Sequence, residues 1–500
     1  MSEATSYHPV TPAIAAELRA IAGAPNVLYG EPERMLDYAH DETHGAQYTH
    51  MPEVVVRPDG AAQVAAIMRL ANRERIPVTP RGAGSGLSGG AVPVFGGILL
   101  SLERMNRILE IDTGNLVAVV EPGVVTNEIN EAVRRHGLFY AGYPMSLETC
   151  FIGGNVAENA GGGRAIKYGV TGRYVLGLEV VLPTGEIVEL GGKRLKDVTG
   201  YDLLHLMVGS EGTLGIFTRI VLRLLPLPAA RTVLLVPFRD APSALAVVPR
   251  IIAQAHIIPA SVEFMDYSAL RAAYDMIGEK PPHPATGALL LIELDGPSAA
   301  HVEAETEAVV DACLAGGALD AYVGNTPATE KKMWRVREKV SEALTLRSPH
   351  QSAEDIVVPP AAIAELLTEL ETLSGCHGVF IPCFGHAGDG NLHARIMKGQ
   401  EMSVETWEVT KPAILADLYR TVRRLGGTIS GEHGIGLKRS PYLPLVMDPA
   451  LIELQRRIKR TFDPLNILNP GKIFPVEEPT WDVLSQPPAA AAGSSVPGPY

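Results

Sequence analysis

Apolar residues recur along the chain with two distinct rhythms. Val64, Ile67, Met68 and Ala71 fall at i, i+3, i+4 and i+7, one face of a 3.6-residue repeat, and predict a helix over Ala61–Asn72. Pro12–Ala22 predicts an earlier helix. Short apolar runs bounded by Pro, Gly or Asp, namely Glu53–Val56, Gly97–Leu100 and Leu116–Val120, predict strands around them. From Arg231 onward the pattern becomes strand, helix, strand, helix. Strands are predicted at Thr232–Phe238, Ser261–Met265, Ala288–Leu294 and Ala321–Gly324, separated by helices such as Ala300–Ala315. That order suits an antiparallel sheet with helices on one face. A second such unit is predicted from Lys331 through Asp355–Pro359 to a histidine-rich segment, and a last helix at Pro449–Phe462.

Between the two rhythms glycine is dense, from Gly142 to Gly215, and composition shifts after Leu222–Pro228, where the main domain boundary is expected. The earlier loop Arg81–Gly90 contains a literal G-x-G-x-x-G at Gly84, Gly86 and Gly89. A dinucleotide fingerprint of the Rossmann type must open a helix, yet Pro93 and Gly96-Gly97 follow where that helix should run. Successive amides in a glycine loop still form an anion nest without it. The loop therefore points to a dinucleotide held outside a Rossmann fold.

Composition narrows the picture. A length of 500 residues predicts two or three domains. A net charge of -13 argues against a phosphate-tracking surface, so nucleic acid is excluded as a partner. No window approaches the roughly 20 apolar residues of a membrane span. Met1–Ser6 lacks the charged start and apolar stretch of a secretion signal, which makes the cytoplasm the expected location. Cys150, Cys313, Cys376 and Cys383 have no C-x-x-C spacing, so an iron–sulfur cluster within this chain is not expected. The tail beyond Trp481, rich in Pro, Ala, Gly and Ser, is expected to be mobile.

Two short runs carry candidate metal chemistry: Gly385–His393, with His386 and His393, and Gly431–Gly434, with Glu432 and His433. Imidazole nitrogen with carboxylate oxygen suits zinc, iron or manganese. Gly388 and Gly390 argue for a loop feeding a strand rather than a helix between the two histidines. An isolated histidine is more often hydrogen-bonded in a core. A Glu-His pair between glycines is a poor core element and a good chemical one. On these runs alone, metal-assisted hydrolysis is as reasonable as oxidation.

Taken together, Pro80–Ser85, Pro144–Gly163, Gly209–Gly215 and Asn469–Lys472 resemble FAD proteins of the vanillyl-alcohol-oxidase or p-cresol-methylhydroxylase (PCMH) type. The whole arrangement, over residues 30 to 475, is similar to the FAD-linked D-lactate dehydrogenase and glycolate oxidase large-subunit group. The resemblance implies an α+β fold: a two-lobed PCMH-type FAD domain and an α+β cap domain with an antiparallel sheet. It implies an N-terminal helical segment at 1–50, the FAD domain at 51–227, the cap at 228–430, a segment completing the FAD and metal site at 431–480, and the tail at 481–500. It places FAD on Pro80, Arg81, Gly82, Ala83, Gly84, Ser85, Ser88, Pro144, Met145, Gly153, Gly154, Gly163, Glu211, Gly212, Ile216 and Asn469. Ser85 and Gly86 stand where some relatives attach the flavin through histidine, so FAD is expected to be non-covalent.

The resemblance further implies that His386, His393 and Glu432 bind one divalent ion and that His433 is the catalytic base. The implied reaction oxidises a D-2-hydroxy acid, D-lactate or glycolate foremost, with hydride passing to the flavin. Electrons would then leave to an electron-transferring flavoprotein or an iron–sulfur subunit. Substrate would meet Arg337, Ser341, Arg395 and His433, since a guanidinium clamps a carboxylate in bidentate fashion. The hydroxyglutarate enzymes carry a lysine near Ala353, absent here, which favours the smaller acids. Arg395, sharing a strand face with His393, offers a cation for a larger one. A homodimer or hetero-oligomer is compatible with this reading. Its alternatives are a flavin-dependent transferase of the alkylglycerone-phosphate synthase type and a non-catalytic flavin subunit of an oxidase complex.

Overall fold

The computed structural model describes residues 7–475; the tail expected to be mobile lies outside them. The chain divides into two compact units. Among the described residues, one comprises 7–162, Val170–Leu227 and 432–475, and the other Gly163–Gly169 and Pro228–Gly431.

In the first unit, the stripe Val64, Ile67, Met68 and Ala71 of the helix Ala61–Glu74 is buried in one core with Val54, Val56, Ile98 and Leu100. Those strands form a four-stranded sheet in the order Val27–Tyr29, Val54–Val56, Ile98–Ser101, Val78–Arg81, with the last three parallel. The N-terminal segment, expected to be helical, supplies the strand Val27–Tyr29 to this sheet, and its helix Pro12–Ala22 buries Ile14 and Leu18 in the same core. The C-terminal end returns to the other edge: Val78 N–H donates to Ile467 O at 2.7 Å and Asn469 N–H to Val78 O at 2.7 Å. A five-stranded antiparallel sheet follows in the order Ile108–Asp112, Val117–Val120, Ile216–Arg223, Val175–Val181, Ile187–Gly191.

The second unit is built on one seven-stranded antiparallel sheet. Its order is Tyr322–Gly324, Ala230–Phe238, Ala288–Gly296, Ser261–Asp266, Cys383–His386, Asn391–Met397, Gln351–Val357. The two α+β units expected from the sequence are thus one, joined where Glu263 pairs with His386 and Met265 with Phe384. Helices also cover both faces rather than one. Leu289 and Leu291 pack with the helices Tyr267–Ile277 and Pro327–Arg347, while Ala241–Pro249 and Ala299–Ala315 also contact the strand Ala288–Gly296. The sequence reason is that this strand is apolar almost throughout and buries Leu290 and Ile292 as fully as their neighbours.

Candidate functional site

In the first unit the parallel strand Val78–Arg81 delivers the chain into the glycine loop, whose residues Gly82–Leu87 are partly exposed. Gly84 and Gly89 adopt φ of +77° and +76°, which favours glycine on backbone grounds. Gly82, Gly86 and Gly154 differ: their φ is ordinary, and an added Cβ at Gly82 or Gly86 would meet nothing nearer than 3.6 Å, and at Gly154 nothing within 4 Å. The protein itself gives no reason for glycine there, whereas a close ligand does. Beside Gly86 lies Asp41, whose Oδ2 is buried with no partner among the described residues, and burial lifts its carboxyl above the usual range. A glycine cradle with exposed amides fits an anionic diphosphate.

The other cofactor candidates divide. Arg81 is committed to the protein, donating from Nη1 to His40 O at 2.6 Å and from Nη2 to Asp37 O at 3.0 Å. A Cβ on Gly153 would strike Pro122, and one on Gly212 would strike Pro80. Ile216 is buried in the core of the first sheet. Pro144 and Met145 lie on an accessible turn. Gly163 belongs to the second unit and packs against Glu263 and Ser261. Asn469 donates from Nδ2 to Gly90 O at 3.1 Å and Glu211 O at 2.8 Å, tying the C-terminal segment to the end of the glycine loop.

The second unit gathers its chemistry on one sheet face. His386 and His393 occupy the two strands of a hairpin, and Gly390, at φ +90°, makes the turn between them. Side chains alternate along strands, so the register places Glu263, His386, Phe384, His393, Asp355 and Arg395 on the same side. The two imidazoles meet edge to face, 5.4 Å between centroids. His386 Nδ1 lies 2.6 Å from Glu263 Oε1, and Arg337 Nε donates to Glu263 Oε2 at 2.6 Å. Burial alone would raise the Glu263 carboxyl, but His386 and Arg337 hold it down to about 2. An ionised Glu263 can only accept, so His386 carries a proton on Nδ1, and in its neutral form Nε2 is the lone-pair nitrogen. This is how a carboxylate prepares a histidine for a metal. Imidazole nitrogens beside a carboxylate are donors of the kind that suit a divalent transition ion.

Substrate-binding candidates sit along the same face. Arg337 lies over the Phe384 ring at 4.9 Å. One turn on in the same helix, Ser341 Oγ accepts from Arg395 Nη2 at 2.8 Å. The Nε of Arg395 is buried with no partner among the described residues, and burial lowers its guanidinium to about 10. Asp355, fully buried, accepts from Asn391 Nδ2 at 2.7 Å, Ser430 Oγ at 2.8 Å and Gly431 N–H at 2.9 Å.

Glu432 follows directly in the chain and belongs to the first unit, where its Cβ packs on Gly161. Its Oε1 stands 3.4 Å from His433 Nε2, and the His433 side chain is 19% exposed. Sequence reasoning missed Glu263, Asp355 and Asn391. A signal existed for the first two: each is a carboxylate inside an otherwise strand-like run, and a buried charge in a strand needs a partner.

Comparison with known proteins adds a separate observation. Residues 52–191 match the FAD binding domain family and residues 227–473 the C-terminal domain of FAD linked oxidases. The chain is 39% identical to the glycolate oxidase subunit GlcD of Bacillus subtilis over 93% of its own length and 97% of the relative's. It is 39% identical to a D-lactate dehydrogenase of Anaerostipes hadrus over 93% and 98%. Among solved structures, p-cresol methylhydroxylase with substrate bound superposes with a TM-score of 0.75 at 19% identity, covering 92% of this chain and 96% of that one. That likeness speaks to the fold alone. No helix among the described residues is long and apolar enough to cross a membrane.

Proposed function

The chain belongs to the FAD-linked oxidases, and on that footing we propose that it oxidises a D-2-hydroxy acid to the 2-oxo acid with the help of a divalent metal. His386, His393 and Glu432 are assigned to the metal, and His433 to the base. The observation that carries the reading is the Glu263–His386 pair, because a fully buried carboxylate that fixes a histidine tautomer has little use in a packing role. When bound, FAD supplies the two-electron acceptor and the metal a Lewis acid for the acid's hydroxyl and carboxylate oxygens.

The chain's own residues do the rest. Arg337, pinned by Glu263, takes the substrate carboxylate and so aligns the α-carbon. His433 accepts the hydroxyl proton, which leaves as the α-hydrogen departs with its electron pair and the C–O double bond forms. Arg395, a buried guanidinium hydrogen-bonded to the neutral Ser341 and Gln351, supports a substrate with a second anionic group; lactate and glycolate leave it unused. Electrons then pass to a separate acceptor, an electron-transferring flavoprotein or an iron–sulfur subunit. That is in keeping with four free cysteines, three of them buried singly.

Anaerobic mixing of the FAD- and metal-loaded protein with paired D and L acids, lactate and a four- or five-carbon diacid, tests the proposal. Flavin bleaching by D acids only is expected. Bleaching by none of them would overturn it, and a strong preference for the diacid that Arg395→Leu abolishes would fix the role of Arg395.

A further inference from the structure

The resemblance implied that Glu211 touches FAD; its surroundings assign it elsewhere. The side chain is buried and its backbone is left-handed, at φ +52°. Oε1 accepts from Ile435 N–H at 2.8 Å and Oε2 from Gly436 N–H at 2.6 Å. Its own N–H donates to Ala157 O at 2.8 Å, and its carbonyl accepts from Asn469 Nδ2 at 2.8 Å. Every polar group of Glu211 is thus engaged within the protein.

What it engages is informative. Four consecutive amides, of residues 435 to 438, point at acceptors outside their own segment: two at the Glu211 carboxylate, and two, Leu437 and Lys438, at the Ser88 carbonyl at 2.9 Å. Successive amides of this kind make an anion nest, and here the anion is a side chain of the protein. The segment has no strand or helix to hold it. Gly434 and Gly436 take φ of +81° and +54°, and a Cβ at Gly434 would strike Glu158, while one at Gly436 would strike the Ser88 carbonyl. Arg439 Nη1 closes the turn by donating to Gly434 O at 3.0 Å. The first residues upstream of this clamp are Glu432 and His433.

We propose that Glu211 is a positioning residue: its carboxylate fixes the backbone that presents Glu432 and His433, without touching cofactor or substrate. This rests on the reading of Glu432 as a metal ligand and His433 as the base. The test compares the parent holoenzyme with Glu211→Gln, which keeps the size but offers one acceptor and one donor to two N–H groups. The variant should retain FAD and its visible spectrum. Metal retention on dialysis and the rate of anaerobic reduction by a D-2-hydroxy acid should each fall about 10- to 100-fold, the scale seen when the partner of a metal ligand is lost. Hydrogen exchange in a peptide spanning residues 434–438 should accelerate at least tenfold, with other peptides unchanged. A folded variant that lacks FAD, or one with parental metal content and rate, overturns the proposal. If the variant does not fold, the parent decides: Ile435 and Gly436 amides exchanging at the rate of open loops overturn it, and protected amides support it. A parent that holds no metal and reacts with no hydroxy acid would sink the proposed function, yet the exchange measurement would still judge the clamp.

Discussion

The histidine hairpin of the second unit and the Glu432–His433 segment of the first are held by different physics. His386 and His393 ride on adjacent strands whose ladder hydrogen bonds and alternating side chains leave them one orientation. Glu432 and His433 precede a glycine-rich turn with no ladder, whose contacts include the Glu211 carboxylate, the Ser88 carbonyl and the Arg439 guanidinium. The contrast is between preorganisation spread over a sheet and preorganisation concentrated in a few contacts. The proposed proton acceptor, His433, would gain from the second arrangement, because a loop can aim a side chain that no strand register would deliver. Its weakness is that single substitutions can undo it.

Substitutions on each side should separate these designs. The largest effect is expected at the loop: His433→Ala should slow anaerobic flavin reduction by a D acid about 10²- to 10⁴-fold, the usual contribution of a general base, while melting temperature and FAD content hold. A fall confined to binding would instead make His433 a substrate contact. In the sheet, Arg337→Ala should be felt first as instability, because it strips a fully buried carboxylate of its guanidinium. The expected loss is about 3–5 kcal/mol in denaturant unfolding. A variant as stable as the parent would mean that Glu263 protonates or finds water, and that His386 alone suffices to hold it.

Gly434→Ala should cost about 1 kcal/mol or more through its left-handed backbone, besides its clash with Glu158. Its activity loss should exceed what the stability loss accounts for. The smallest effect belongs to the glycine cradle. Gly154→Ala should stabilise the FAD-free protein by about 0.5–1 kcal/mol, since the helix gains and nothing clashes, yet weaken FAD in a fluorescence titration. Unchanged FAD affinity would remove Gly154 from the cradle.

Much of this was legible in the chain. The helix over Ala61–Glu74, the apolar strands and the histidine run follow from local periodicity and glycine placement, and the failed Rossmann context pointed correctly away from that fold. What was hidden is long-range. Glu263 meets His386 across 123 residues and Glu211 meets Ile435 across 224. Neither pairing leaves a period in the sequence. The union of two expected α+β units into one sheet depends on the pairing of Ser261–Asp266 with Cys383–His386, which either strand's composition allows and neither specifies. The transfer of Gly163–Gly169 to the second unit depends on ion pairs of Arg164 with Glu293 and Lys167 with Asp295, visible only once the fold has formed.

The central claim is that a D-2-hydroxy acid is oxidised with a metal held by His386, His393 and Glu432. It is tested most directly by an anaerobic absorption titration run twice, on metal-loaded protein and on the same protein after chelation with FAD retained. The account predicts stoichiometric bleaching by a D acid, none by its L enantiomer, and loss of the D-acid response on chelation that returns when metal is restored. Equal bleaching with and without metal, or by both enantiomers, would contradict it.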